Sequence, residues 1–130
     1  MLAGLLHNVA TTEGSKLYPD LKPLESSLEP DVLFAHVEHV ASNQVRWKIV
    51  GRDQEKRELR VECTTALFRW VDDVRIWVDC DAARGRCALH LHSKSRVGKG
   101  DLGANAKRIR AFLAAVAERL ENPQPPRALP

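Results

Sequence analysis

The sequence predicts an α+β fold: a four-stranded antiparallel sheet with an N-terminal and a C-terminal helix packed on one face, preceded by an extended arm. Three observations carry this. A helical apolar period begins near Pro30, a period of two runs through four segments between Val45 and His92, and a second helical period ends near Glu121. Short links between the alternating segments demand hairpins and therefore antiparallel pairing. Two amphipathic helices and one half-buried sheet share a single core when both helices cover the same face.

Residues 1–27 show no sustained period. They read as an extended arm with strand-like pieces around Leu17 to Leu24, broken by Pro19 and Pro23. The first helix spans about Pro30 to Ser42. Pro30 suits a first helical turn, Asp31 suits the positive end of the dipole, and Leu33, Val37, Val40 and Ala41 form one stripe. The strands follow. Val45, Trp47 and Ile49 alternate with Arg46 and Lys48; Leu59, Val61 and Cys63 with Arg60, Glu62 and Thr64. Val74, Ile76, Val78 and Cys80 then alternate with Arg75, Trp77 and Asp79, and Leu89 and Leu91 with His90 and His92. The last helix spans about Leu102 to Glu121. Ile109, Leu113, Val116 and Leu120 form its buried stripe, flanked by Phe112, while Arg108 belongs to its polar remainder. The domain thus occupies residues 28–121, and the proline-rich tail 122–130 is expected to be disordered.

Composition places the chain among soluble globular domains: 130 residues, 44% apolar, 28% charged. The net charge of +3 raises the expectation of an anionic partner only slightly. Met1 to Leu6 is far shorter than the ~20 apolar residues of a membrane span and lacks a basic leader, so no span is expected in this chain and a cytoplasmic location is read. The odd cysteine count argues against a complete disulfide framework. Cys80 and Cys87 flank a six-residue turn and can face each other across a hairpin. The favoured reading keeps them reduced, as small apolar strand residues.

Gly98-x-Gly100-x-x-Gly103 has the spacing of a dinucleotide fingerprint, but no parallel strand follows the helix, so the βαβ unit that motif requires cannot form. The glycines then shape a tight strand-to-helix connection, with Asp101 as the helix cap. A weaker reading has Arg96 and Lys99 holding a phosphate or carboxylate there. Asp72 and Asp73 invite an acid–base dyad, yet adjacent side chains of an extended chain point to opposite faces. One is expected to point inward and pair with an arginine, Arg96 or Arg69 being the natural candidates, while the other meets solvent. His90 and His92 share a strand face without a nominated third ligand, so no metal site or cofactor is assigned. Arg46, Lys48, Arg60, Arg75, Trp77, His90, His92 and Lys94 would line the open sheet face. One tryptophan among interrupting acids is a thin basis for a nucleic-acid platform, and that partner is disfavoured. No G-x-S-x-G, H-E-x-x-H or Walker motif occurs.

Three blocks together carry a family likeness: Leu67-Phe68-Arg69-Trp70-Val71-Asp72-Asp73-Val74, Ser93-x-Ser95-Arg96-Val97-Gly98, and Asp101-Leu102-Gly103-Ala104-Asn105 with Arg108-Ile109. In this the chain resembles the domain-of-unknown-function family 1499, from about Asn8 to Leu120. The resemblance implies a shared arrangement of Phe68, Asp72, Asp73, Ser93, Ser95, Arg96, Asp101, Gly103 and Asn105, but no reaction. A cysteine- and proline-containing segment that many members carry near the N-terminus is absent, so no role tied to it carries over. The element order is also similar to helix-grip and lipoprotein-type small domains.

The sequence favours a non-enzymatic module that binds an unknown protein or a small anionic ligand. Its candidate polar cluster is Asp72, Asp73, Ser93, Ser95, Arg96, Asp101 and Asn105, with no catalytic residue assigned. The rivals are a hydrolase-like enzyme with Asp72 or Asp73 as base and Arg96 holding an anion, and a nucleic-acid-binding sheet. A dry, fully paired Asp–Arg cluster would count against the enzyme, and an open pocket beside it would count for it.

Overall fold

The computed structural model describes residues 9–14, 17–97 and 103–122. In chain order these form β1 (Val9–Thr11), β2 (Leu24–Ser26), α1 (Pro30–Ser42), β3 (Trp47–Asp53), β4 (Glu58–Thr64), β5 (Val71–Asp81), β6 (Arg86–Ser95) and α2 (Ala104–Glu121). The expectation of an α+β fold with two helices and an antiparallel sheet holds, but the sheet has six strands rather than four. β3 to β6 form a meander in the order β6-β5-β4-β3, and both short strands pair antiparallel with the free edge of β6. β1 lies against His92 to Lys94 and β2 against Cys87 to Leu89. The two added strands come from the segment read as an arm. Each has three residues, too few for a period of two to show, and Pro19 and Pro23 lie between them. Pairing there caps an edge that would otherwise expose unpaired backbone groups.

α1 begins at Pro30, whose missing N–H costs nothing in the first turn, with Asp31 beside it. It ends at Asn43, whose side-chain amide donates to the His39 carbonyl at 2.7 Å. β3 starts at Trp47, two residues later than the alternation suggested, because Arg46 adopts a left-handed backbone with φ 62° that breaks the strand. A bulge between Ile49 and Gly51 then re-aims the rest of β3, so Arg52 leans toward α1 and bonds Glu38 at 2.7 Å. The β5–β6 hairpin closes through Gly85 at φ 63°, with the Asp81 carboxylate accepting the Ala83 N–H at 3.1 Å.

Both helices cover the same sheet face. Leu33, Phe34 and Val37 of α1 and Ile109, Phe112 and Val116 of α2 share one core with Leu59, Val61, Val74, Ile76, Leu89 and Leu91. Phe112 stacks on Trp47 with ring centroids 5.1 Å apart, which ties α2 to the far strand. The arm is fastened by a forked pair from Arg110 to Asp20 at 2.6 and 2.9 Å. No described helix is long and apolar enough to cross a membrane.

Cys80 and Cys87 are direct cross-strand partners and are joined as a disulfide, which corrects the reading of both as reduced strand residues. The antiparallel register brings their sulfurs together. Cys63 is the free thiol among the described residues. Replacing both bridged cysteines with serine removes the constraint on a short loop, and chemical denaturation should show stability lowered by about 2 kcal/mol.

Candidate functional site

Asp72 and Asp73 open β5, and strand alternation sends them to opposite faces. Asp72 points into the core, 2% exposed, and Asp73 points outward. On the inner side, β6 presents Ser93 and Ser95 two residues apart, with Ser95 directly opposite Asp72. α2 brings Asn105 and, one turn on, Arg108 above them. One Arg108 nitrogen donates to Asp72 Oδ2 at 2.7 Å; the other donates to Asn105 Oδ1 at 2.7 Å and Ser93 Oγ at 3.0 Å. The Ser93 hydroxyl donates to Asn105 Oδ1 at 2.6 Å, and the Asn105 amide donates to Ser95 Oγ at 2.9 Å. Ser93 and Asn105 have no exposed surface. Among the described residues, no buried side-chain nitrogen or oxygen lacks a partner. Five polar groups under the start of α2 therefore form one satisfied network, which can sit in a core without the penalty of orphaned donors.

A second cluster lies on the outer face. Arg96 grips Asp73 in a fork, at 2.9 Å from Nε and 2.7 Å from Nη2, and reaches Glu62 at 2.6 Å. All three are substantially exposed. The hydrogen bonds from Arg96 hold the Asp73 carboxyl below the usual carboxylate range against a weaker opposing effect of burial. The residues expected to converge thus divide between two faces. Asp72, Ser93, Ser95 and Asn105 meet inside, Asp73 and Arg96 meet outside, and Asp101 with the glycine run 98–102 lies outside the described residues. The arginine at Asp72 is Arg108, not Arg96 or Arg69. Sequence reasoning placed Arg108 on the solvated side of the helix. Its places three residues after the buried Asn105 and four before the buried Phe112 are the signals that mark it as inward.

Cys63 lies opposite Asp72 in the sheet, and burial pushes its thiol up to about 12, so it stays protonated and inert. The described histidines form no metal-binding group. His36 accepts from Arg119 Nε at 3.0 Å, bridging α1 and α2, while His90 meets the Thr12 hydroxyl at 2.9 Å and stacks on Trp77. Arg75 also lies over the Trp77 ring, 4.0 Å from its centroid, so the one aromatic of the open face is engaged by two neighbours. Among the described residues, no three His, Cys, Asp or Glu side chains stand close enough to hold a metal.

Burial, and then the charge of Arg119, hold His36 below its ordinary value of 6.5. Burial also lowers His92. As pH falls below about 6.5 the unfolded chain takes up protons that these rings resist in the folded state, so stability drops. Melting curves should move to lower temperature between about pH 7.5 and pH 5.5. His36→Gln should flatten that slope without abolishing it.

The other notable feature is the turn from β4 to β5. Leu67 is 80% exposed, Phe68 62% and Trp70 46%, and Val45 in the neighbouring turn is 74% exposed. The turn is pinned: Trp70 N–H donates to Thr65 Oγ1 at 2.9 Å and Thr65 N–H to the Trp70 carbonyl at 2.8 Å. The Phe68 and Trp70 rings stack at 4.8 Å. These apolar side chains are held outward by ordered backbone. No sequence period marks them, because they belong to no strand or helix.

Fold and geometry define the class: a small α+β domain in which two helices close one face of an antiparallel sheet over a paired polar network. The chain belongs to the family described as "Protein of unknown function (DUF1499)", which matches residues 7–116. No curated protein matches it. Among solved structures it is similar to the one titled "Crystal structure of the di-domain ARO/CYC BexL from the BE-7585A biosynthetic pathway", at a TM-score of 0.56 and 15% identity. That match covers 90% of this chain and 48% of the other, so the chain spans about half of that protein's length. The likeness is one of fold.

Proposed function

We infer that the chain is a non-catalytic binding domain that meets its partner through the end of the sheet bearing Leu67, Phe68 and Trp70. The observation that carries this reading is the state of the polar cluster. Among the described residues, Asp72, Ser93, Ser95, Asn105 and Arg108 hydrogen-bond one another and leave no buried polar atom unpartnered. A general base must be free to reach a substrate proton and poised near the working pH. Asp72 is buried against Arg108, and Asp73 is held by Arg96 in its weakly basic form. Both arginines are already neutralised by carboxylates, which leaves little net positive charge to attract a small anion. The inner network then acts as a latch that fixes α2 on the sheet, and the contact surface lies elsewhere. The Cys80–Cys87 bridge supports an oxidising compartment over the cytoplasmic location read from the sequence.

Two exposed pairs separate this reading from a ligand site at the outer cluster. Leu67→Ser/Phe68→Ser and Asp73→Asn/Arg96→Gln should both melt close to the parent, since neither touches the core. Retention of each variant by membrane and soluble fractions of the source cell is then compared. Loss in the first pair alone supports the proposal; loss in the Asp73/Arg96 pair alone sinks it.

A further inference from the structure

The loop end also states what kind of partner it fits, an inference that rests on the binding reading above. Beside the exposed Leu67, Phe68 and Trp70 stands the turn carrying Val45 and Arg46. The two turns are fastened together: Thr64 N–H donates to the Arg46 carbonyl at 3.0 Å, and Arg46 Nε donates to the Thr64 carbonyl at 3.1 Å. Arg69 sits at the tip itself with φ 57°. Neither arginine takes part in an ion pair among the described residues. Neither turn contains a carboxylate, from Ser42 to Trp47 or from Thr64 to Val71. The surface is therefore an exposed apolar tip with two guanidinium groups outside any ion pair among the described residues.

We propose that this tip docks on an anionic lipid membrane, with Leu67, Phe68 and Trp70 entering the boundary between headgroups and acyl chains and Arg46 and Arg69 meeting lipid phosphates. The chemistry of the tip favours lipid over a protein surface. Aromatic and aliphatic side chains ringed by arginine are the set that membrane interfaces select. A stable protein interface needs roughly 20–30 residues a side around a buried centre, and two short turns fall well below that. A fluid bilayer needs no matching pocket, so exposed side chains on two short turns serve. Positive charge in two turns that themselves carry no carboxylate complements an anionic leaflet, while Glu62 and Asp73 alongside are engaged by Arg96, and each arginine there adds roughly a fivefold gain in binding. With so few side chains inserted, binding is reversible and salt-sensitive.

The test is flotation of the full chain with phosphatidylcholine vesicles containing phosphatidylglycerol, beside vesicles of phosphatidylcholine alone. The expected result is co-flotation with the anionic vesicles, weakened by salt. Leu67→Ser/Phe68→Ser should reduce it by more than about tenfold and Arg69→Gln by about fivefold, with unchanged melting temperatures; Arg46→Gln, which also loses the bond to the Thr64 carbonyl, should reduce it by at least as much. Equal retention on neutral vesicles, or a tip variant that floats like the parent, overturns the proposal. Hydrogen exchange separates this inference from the broader one. Protection of residues 65–70 by a soluble protein fraction, with no flotation, overturns the membrane assignment and leaves the binding reading standing. No protection and no flotation overturns both.

Discussion

Replacing Arg108 with alanine should lower stability by about 3–5 kcal/mol, the cost of breaking a buried ion pair from one side. Asp72 is almost fully buried and would be left there without its guanidinium partner, which is costly whether the carboxyl stays charged or takes up a proton. Ser93 and Asn105 would lose the same donor, although their mutual hydrogen bond survives. A domain of this kind has only about 5–15 kcal/mol in total, so the variant would stand near the edge of folding. Urea denaturation checks this through the midpoint, with the slope unchanged if the denatured state is unaffected. The contrast is Arg96→Ala, which removes an exposed arginine from an exposed pair and should leave the midpoint close to the parent's. The two arginines look alike in sequence and differ in consequence because one lies under a helix and the other on an open sheet face.

Phe112→Ala is the second large effect expected, again about 3–5 kcal/mol. Phe112 is buried in the centre of α2 and stacks on Trp47 at the opposite side of the sheet. Truncation removes the apolar contact and leaves a cavity that helix and sheet are too rigid to close. Phe112→Leu keeps most of the volume and should lose much less. Arg108 and Phe112 are the polar and apolar anchors of one helix face, so their combined substitution should prevent folding at ordinary temperature.

Much of the architecture was legible because amphipathic periods report burial directly. Leu33, Val37, Val40 and Ala41 read as a helix stripe, and all four are buried in α1. The Val74-Ile76-Val78 alternation read as a strand with one inward face, and those three residues line the core from β5. Three-residue strands leave no such trace. Val9–Thr11 and Leu24–Ser26 are recruited by the free edge of β6, a demand written in β6 rather than in themselves. The division of Asp72 from Asp73 followed from strand alternation, but the identity of the inner arginine did not. A lone Arg beside Lys107 and Arg110 reads as solvated surface until the helix is placed over a buried carboxylate. The exposed tip follows no period, since sequence pattern shows which residues can hide and not which hydrophobic residues fail to.

The central claim is that the buried polar network is architecture. Its most direct test is the urea midpoint of Asp72→Leu/Arg108→Met set beside that of Arg108→Ala. An architectural pair is costly to break yet cheap to replace, because two apolar side chains of similar size leave no charge stranded. The single variant should therefore lose about 3–5 kcal/mol and the double variant should return to within about 1 kcal/mol of the parent. An Arg108→Ala protein with the parent's midpoint would contradict the account, since it would show that Arg108 contributes nothing to the fold and is held in place for a ligand.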